Sequence, residues 1–439
     1  MADTLQPEQA DVAVIGLGYV GLTLAIALAT QGVRIVGYDS NPAVAVQLGQ
    51  QQLAFTEPHL LEGLRETFGT TFAPLTAPPA PLPPIVVICV GTPLRVGSIV
   101  PDLTYLDAAV DSIRPHLRPE TLLVIRSTVS VGTSRAIARR LEQELGFAPQ
   151  VAFCPERTIQ GKALEELRSL PQIVGGLTPE AAQRAGELFG LLTPRVTTVS
   201  SLEAAETIKL ICNAHTDLLY GFGNEVALIA EHLGLDATEL IRSANLDYPR
   251  PDLALPGFVG GSCLIKDPYL LIHSLEPYGH VPRLVQTARA HNEAMPGHVG
   301  RQVLAALRAL PIDLASAKVC VAGFVYKGYP TTDDLRGGPT GPILEALRGE
   351  VGLIAGQDFA VNLERLRGFG VEPMALEQAI TGASAVLVLN NHPQYRSYTL
   401  RELTTRMQHP GVFYDAWGLF AEQEPTCHPQ VRYMRLGRG

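Results

Sequence analysis

Asp11-Val-Ala-Val-Ile-Gly16-Leu-Gly18-Tyr19-Val20-Gly21 is the stretch that decides the fold. A run of apolar residues ended by glycine predicts a short strand covered on both faces, as in a parallel sheet. The apolar text that follows, to about Thr30, has helical length. Arg34-Ile-Val-Gly-Tyr38 predicts the next strand, closing at Asp39, so the segment is a βαβ unit. Gly16 permits the tight turn, Gly18 lets a phosphate approach the backbone, and Gly21 lets the helix pack on the strand. The helix N-terminus offers free N–H groups to an anion. Tyr19 and Val20 lie inside the turn. Asp39 follows Gly21 by 18 residues, where a carboxylate accepts hydrogen bonds from an adenosine ribose and repels a 2′-phosphate. The pattern predicts a dinucleotide site for NAD rather than NADP.

The same region holds an uncharged run, Val12 to Val33, long enough to span a bilayer. Four glycines interrupt it (Gly16, Gly18, Gly21, Gly32), and acidic residues rather than a basic segment precede it, so neither a signal peptide nor a membrane helix is expected. With 439 residues, 46% hydrophobic and 18% charged, the chain is globular and of about three-domain length. A net charge of −9 without a Lys/Arg cluster argues against a nucleic-acid partner. The six cysteines stand far apart with no C-x-x-C pair, which signals neither a zinc ribbon nor a disulfide framework and fits a reduced, cytoplasmic setting. The histidines form no ligand spacing with them, so no metal is expected.

Outward from the glycine turn, residues 72–84 carry six prolines in thirteen positions and predict a surface loop. Strands are predicted at 85–90, 121–125, 150–153 and 195–199. From 201 to about 235 the apolar positions take a helical period, with Ser200 or Ser201 as cap, and helical text continues to about 245. A Pro/Gly-rich loop spans 249–262, and more helical text occupies 267–309. Val319-Cys-Val-Ala-Gly323, Ala385–Leu389 and Val412–Asp415 restore strand text. The fold class is α/β: two Rossmann-like doubly wound domains joined by a central helical domain with a long helix. The expected domains are 1–200 for NAD, 201–312 central, and 313–439 for the nucleotide sugar.

Three groups of residues carry chemistry. Gly260-Gly261-Ser262-Cys263 ends the loop ahead of a helix, where a thiolate is stabilised, and Lys266 and Asp267 follow directly. Glu206, Lys209 and Asn213 are spaced to share one helix face. Cys154-Pro-Glu156-Arg157 closes a predicted strand, the end that faces ligands in an open α/β sheet.

Taken together, these residues resemble the nucleotide-sugar 6-dehydrogenases, the family of UDP-glucose, GDP-mannose and UDP-N-acetylhexosamine dehydrogenases. The resemblance covers essentially the whole chain. It runs through Gly16–Gly21, Val90-Gly-Thr92-Pro93, Ser127-Thr128-Val-Ser-Val-Gly-Thr133, Cys154–Arg157 and Glu206-x-x-Lys209-x-x-x-Asn213. It continues with Pro256-Gly-Phe-Val-Gly-Gly-Ser-Cys263-x-x-Lys-Asp267, Gly323-Phe-Val-Tyr-Lys327 and Asp333-Asp334-Leu-Arg336. The resemblance implies oxidation of a sugar C6 alcohol to a carboxylate in two NAD-dependent steps, with Cys263 carrying a thiohemiacetal and then a thioester. Lys209 and Asn213 match the residues that stabilise charge on the C6 oxygen. Glu156 matches a carboxylate that assists water or proton transfer, and Asp267 one that helps hold a water. Thr92, Thr128 and Arg336 would serve the cofactor side; Arg157, Thr158, Gly260 and Lys327 would lie along a UDP-sugar. Arg250 matches an arginine that reaches a neighbouring subunit's substrate, which implies a homodimer or higher homo-oligomer built on the long helix. The product would feed an envelope polysaccharide.

The sugar is signalled two ways. Cys154–Arg157 and Ala288-Arg289-Ala-His-Asn292-Glu-Ala-Met295-Pro296 resemble the N-acetylhexosamine branch, as does Asp267-Pro-Tyr269. Ser262 and Lys266 look more like the UDP-glucose and GDP-mannose branches, and the stretch Tyr326–Arg336 carries one residue more than the common form. The N-acetylhexosamine reading is preferred, UDP-N-acetylmannosamine ahead of UDP-N-acetylglucosamine, with UDP-glucose or GDP-mannose as the alternative. A non-catalytic nucleotide-sugar sensor would be expected to lack Cys263 or Lys209, and both are present.

Overall fold

The computed structural model describes residues 5–438. The chain forms two compact units. One comprises Met1–Asn213 with Tyr269–Val281, and the other Ala214–Pro268 with Pro282–Gly439.

The first unit is built on an eight-stranded sheet. Its strands are β1 (Val12–Ile15), β2 (Ile35–Tyr38), β3 (Phe72–Leu75), β4 (Ile85–Ile88), β5 (Leu122–Ile125), β6 (Gln150–Phe153), β7 (Gln172–Gly176) and β8 (Val196–Val199). They lie in the order β3-β2-β1-β4-β5-β6-β7-β8. Val12 pairs with Ile35 on one side and Ile85 on the other, both parallel. The strand order reverses between β1 and β4, the switch point where open α/β sheets bind ligands beyond the strand C-termini. Only β6 and β7 pair antiparallel. Apolar cores cover both faces, one including Val14, Leu24 and Phe189, the other Ile15, Val110 and Phe153. That two-sided burial is why the strands read as unbroken apolar runs.

The proline-rich segment departs from expectation. Its first residues, Phe72–Leu75, are strand β3 rather than loop, and Phe72 is buried. β3 is an edge strand, so the N–H that Pro74 lacks costs no ladder bond on an inner strand.

The long helix covers Leu202–Leu233, and the Ser201 hydroxyl accepts the Ala204 N–H at 3.1 Å as its cap. The division between the units falls within this helix, after Asn213. In the second unit a helix, Ala237–Asn245, follows, capped by Asp236 through the Thr238 N–H at 2.9 Å. The Pro/Gly-rich loop leads to a one-turn helix, Gly261–Leu264, and the 26-residue helix Arg283–Arg308 lies beyond. A second sheet completes this unit: β9 (Lys318–Ala322), β10 (Leu353–Gln357), β11 (Glu372–Pro373), β12 (Ala385–Val388), β13 (Gly411–Asp415) and β14 (Val431–Arg435). Its order is β11-β10-β9-β12-β13-β14 and every pair is parallel. Both sheets therefore have the doubly wound form.

Candidate functional site

The predicted residues fall into two groups, one in each unit. In the first unit the glycine turn joins β1 to the helix Tyr19–Ala29. Gly16 has φ +92°, open to glycine alone at low cost. A Cβ on Gly21 would stand 1.8 Å from the Gly16 carbonyl oxygen, so close helix–strand packing forbids any side chain there. A Cβ on Gly18 would meet nothing within 4 Å, which leaves open space at a helix N-terminus without a side-chain cap. Asp39 Oδ2 accepts the Leu17 N–H at 2.9 Å, which fixes the carboxylate beside the turn. Open space, unpaired N–H groups and an acidic strand end together fit an NAD pyrophosphate and ribose.

Thr92 follows β4 and Thr128 follows β5, and the Thr92 hydroxyl donates to the Thr128 carbonyl. Glu156 follows β6 and is 8% exposed. Its Oε1 accepts the N–H groups of Arg157 (2.7 Å) and Thr158 (2.8 Å), and its Oε2 accepts Nη2 of Arg126 at 2.7 Å. Burial pushes this carboxyl up, but the Arg126 guanidinium and the Thr158 N–H outweigh burial and hold it below the ordinary range. The buried Lys209 ammonium adds to the same field. Glu156 is thus ionised at neutral pH, with Arg157 and Thr158 locked beside it. Of the polar stripe on the long helix, Lys209 serves this field, whereas Glu206 turns to structure. Its carboxylate accepts the Gly132 N–H (2.6 Å) and the Ser134 N–H (2.8 Å), capping the helix Thr133–Leu145. Asn213 is half-buried, two helical turns from Glu206.

Two residues in this unit escaped the sequence reading. Arg126 has a fully buried side chain, sits 4.9 Å over the Phe189 ring, and donates to the Cys154 carbonyl at 3.2 Å. A lone charge directly after the apolar run of β5 was the available signal. Glu57 accepts the Tyr19 hydroxyl and the N–H groups of Gly161 and Ala163, each of the latter at 2.7 Å. It ties the glycine turn to the loop after Glu156, and nothing local in the sequence announces it.

The second group surrounds Cys263. A Cβ on Gly260 would lie 1.9 Å from the Gly337 carbonyl oxygen, and one on Gly261, at φ +83°, would lie 2.7 Å from the Tyr326 ring. Both positions require glycine because the turn presses against the segment 326–337. The Gly261 N–H donates to the Arg336 carbonyl at 3.2 Å. Cys263 is exposed. It stands in the one-turn helix Gly261–Leu264. Arg336 pairs with Asp334 at 2.8 Å, and its positive charge is also felt at Cys263. Lys266 pairs with the buried Asp267 at 2.6 Å. Lys327 is buried with its ammonium 5.4 Å over the Tyr326 ring. Arg250 is exposed and donates to the Tyr248 hydroxyl at 2.7 Å.

Sequence models of three domains match in order: the NAD binding domain of the UDP-glucose/GDP-mannose dehydrogenase family over residues 10–193, its central domain over 203–294, and its UDP binding domain over 320–422. The chain belongs to the UDP-glucose/GDP-mannose dehydrogenase family. It is an NAD-dependent nucleotide-sugar dehydrogenase with a UDP binding domain. It is similar to the UDP-N-acetyl-D-mannosamine dehydrogenase of Pyrococcus horikoshii, 32% identical, with 91% of this chain and 93% of the relative covered. The solved UDP-D-ManNAc dehydrogenase structure from that organism matches with a TM-score of 0.87 at 31% identity, covering 98% of this chain and 99% of that one. The NDP-N-acetyl-D-galactosaminuronic acid dehydrogenase of Ralstonia solanacearum is 31% identical over 90% of this chain and 94% of its own length. Among the described residues no helix of this family member is long and apolar enough to cross a membrane.

Proposed function

We propose that this dehydrogenase oxidises the C6 alcohol of UDP-N-acetyl-D-mannosamine to UDP-N-acetyl-D-mannosaminuronate, through a thiohemiacetal and a thioester on Cys263. NAD, when bound, accepts one hydride in each of the two oxidations. The observation that carries the reading is Cys263: an exposed thiol on a turn whose two glycines admit no side chain. The Cys263 thiolate adds to the C6 aldehyde, and loss of the second hydride leaves the thioester. Water then attacks the acyl carbon, the C–S bond breaks, and the carboxylate departs with the thiolate restored. Lys209 and Asn213 stabilise negative charge on the C6 oxygen. Asp267 orients the water, and the ionised Glu156 receives its proton. Arg157, Thr158, Gly260 and Lys327 hold the nucleotide sugar; Thr92, Thr128 and Arg336 attend the cofactor side.

A homodimer or higher homo-oligomer completes the reading. Phe222, Ile229 and Leu233, 54%, 45% and 65% exposed, share one face of the long helix at intervals of seven and four residues. Pairing that face with a second copy covers it, and Arg250 then serves the partner subunit's substrate.

The N-acetylmannosamine assignment is supported by the relatives' substrate and by the Cys154–Arg157 and Ala288–Pro296 motifs. Ser262 and Lys266 favour a second reading, UDP-glucose or GDP-mannose. Initial rates with UDP-N-acetylmannosamine, UDP-N-acetylglucosamine, UDP-glucose and GDP-mannose separate them. UDP-N-acetylmannosamine is expected to have the highest kcat/KM by about tenfold or more. A preference for UDP-glucose or GDP-mannose would overturn the assignment.

A further inference from the structure

The motif Ala288–Pro296 supports the substrate branch, yet the chemistry above gives its arginine no task. Arg289 stands on the helix Arg283–Arg308 with a side chain 1% exposed. Its Nη1 donates to the Leu264 carbonyl at 2.9 Å and to Asp217 Oδ1 at 2.7 Å, and its Nη2 donates to the Val259 carbonyl at 3.3 Å. Those two carbonyls bracket the turn Gly260-Gly261-Ser262-Cys263. One planar guanidinium thus holds both ends of the turn that bears the thiol. Asp217, itself fully buried on the long helix, accepts the Asn292 amide at 3.0 Å. The Asn292 oxygen accepts from Asn224 at 2.9 Å, and Asn224 accepts the Gly257 N–H at 2.9 Å. The backbone from 257 to 264 is therefore anchored at three points to two helices. On its other side the turn rests on Gly337 and Tyr326 without room for a methyl group.

We propose that Arg289 is a positioning residue for Cys263. By holding the carbonyls of Val259 and Leu264 in one rigid fork, it sets where the thiol stands for attack on the C6 aldehyde. A lysine has one point charge and cannot span both carbonyls in this way. An error of about 1 Å in the placement of a reacting group can cost about 10²-fold in rate. The inference rests on the reading of Cys263 as nucleophile.

The test uses full-length Arg289→Lys and Arg289→Met enzymes with Cys263→Ser as control. Three readouts are taken: kcat and KM for the best substrate of the panel, melting temperature, and the rate of Cys263 carboxamidomethylation by iodoacetamide, followed by peptide mass without substrate. Arg289→Met is expected to lose about 10²-fold in kcat with KM within about threefold of the parent. Arg289→Lys keeps a charge against Asp217, so it is the variant that tests the idea if the methionine form does not fold. It is expected to melt near the parent, lose about tenfold in kcat, and alkylate at Cys263 at least about fivefold faster because the turn is loosened. A folded Arg289→Lys enzyme with parental kcat and parental alkylation would overturn the proposal. So would a loss confined to melting temperature. If Cys263→Ser keeps full turnover to the uronate, the nucleophile reading itself fails; if it loses turnover while Arg289→Lys does not, Arg289 alone fails.

Discussion

Replacing Cys263 by serine is expected to lower uronate formation by roughly 10³-fold or more, the scale seen when an enzyme loses its nucleophile. A serine hydroxyl is of similar size but offers no thiolate near neutral pH, so the aldehyde stage no longer leads to a thioester. Three of the other thiols cannot stand in. Cys89, Cys154 and Cys320 are buried, and burial pushes each thiol up to about 12, so they remain protonated at neutral pH. The measurement is uronate by mass spectrometry alongside NADH release, with sugar limiting. A serine variant that still makes uronate at a rate near the parent's would remove the thioester from the mechanism.

The largest effect on stability is expected at Arg126. Its guanidinium is fully buried against Glu156, and replacing it by methionine leaves a carboxylate in low dielectric with two backbone donors and the Lys209 charge alone. Breaking one side of such a pair costs about 3–5 kcal/mol. The sign of the pH dependence follows from Glu156. In the parent, Arg126 outweighs burial and holds the folded carboxyl below its ordinary value. The pair's stabilisation is then complete above an unfolded value of about 4.3 and is lost as pH falls through the lower folded value. Without Arg126, burial is opposed only by the two backbone N–H groups and the Lys209 charge, so the folded carboxyl rises from its parental value. The stabilisation the parent draws from ionised Glu156 is then reduced above the unfolded value, and that reduction fades as pH falls through the parent's folded value. Urea unfolding of Arg126→Met should therefore show a deficit at pH 7 that shrinks towards pH 4, and Glu156→Gln in the same chain should recover part of it. A deficit below about 1 kcal/mol at pH 7, or one that grows in acid, would contradict this account of the pair.

The parts of the fold legible in the sequence are those whose physics is local. The turn Gly16–Gly21 and the carboxylate of Asp39 lie within one βαβ unit, so residue type and spacing carry the geometry. The strands Val12–Ile15 and Leu122–Ile125 are apolar throughout because both faces are covered. Strands with weaker composition do not declare themselves. Phe72–Leu75 lies among prolines, Gln172–Gly176 ends in two glycines, and Glu372–Pro373 is only two residues long. Their place comes from the neighbouring strand rather than from their own propensity. The same division holds at the site. Cys263 stood out because glycines and charges flank it. Arg126, Glu57 and Arg289 act on residues 30, 104 and 25 positions away, and no single-chain pattern links such partners before the fold does. Glu206 shows the reverse. Spacing placed it with Lys209 and Asn213, yet its carboxylate is taken by the backbone of the helix Thr133–Leu145.

The proposed reaction is a four-electron oxidation at one site. It is tested most directly by counting NADH released per molecule of the best-used UDP-sugar, with sugar limiting and NAD in excess. Two NADH for each sugar consumed, with uronate as the end product, is the predicted result. One NADH per sugar, with the aldehyde as the end product, would contradict it.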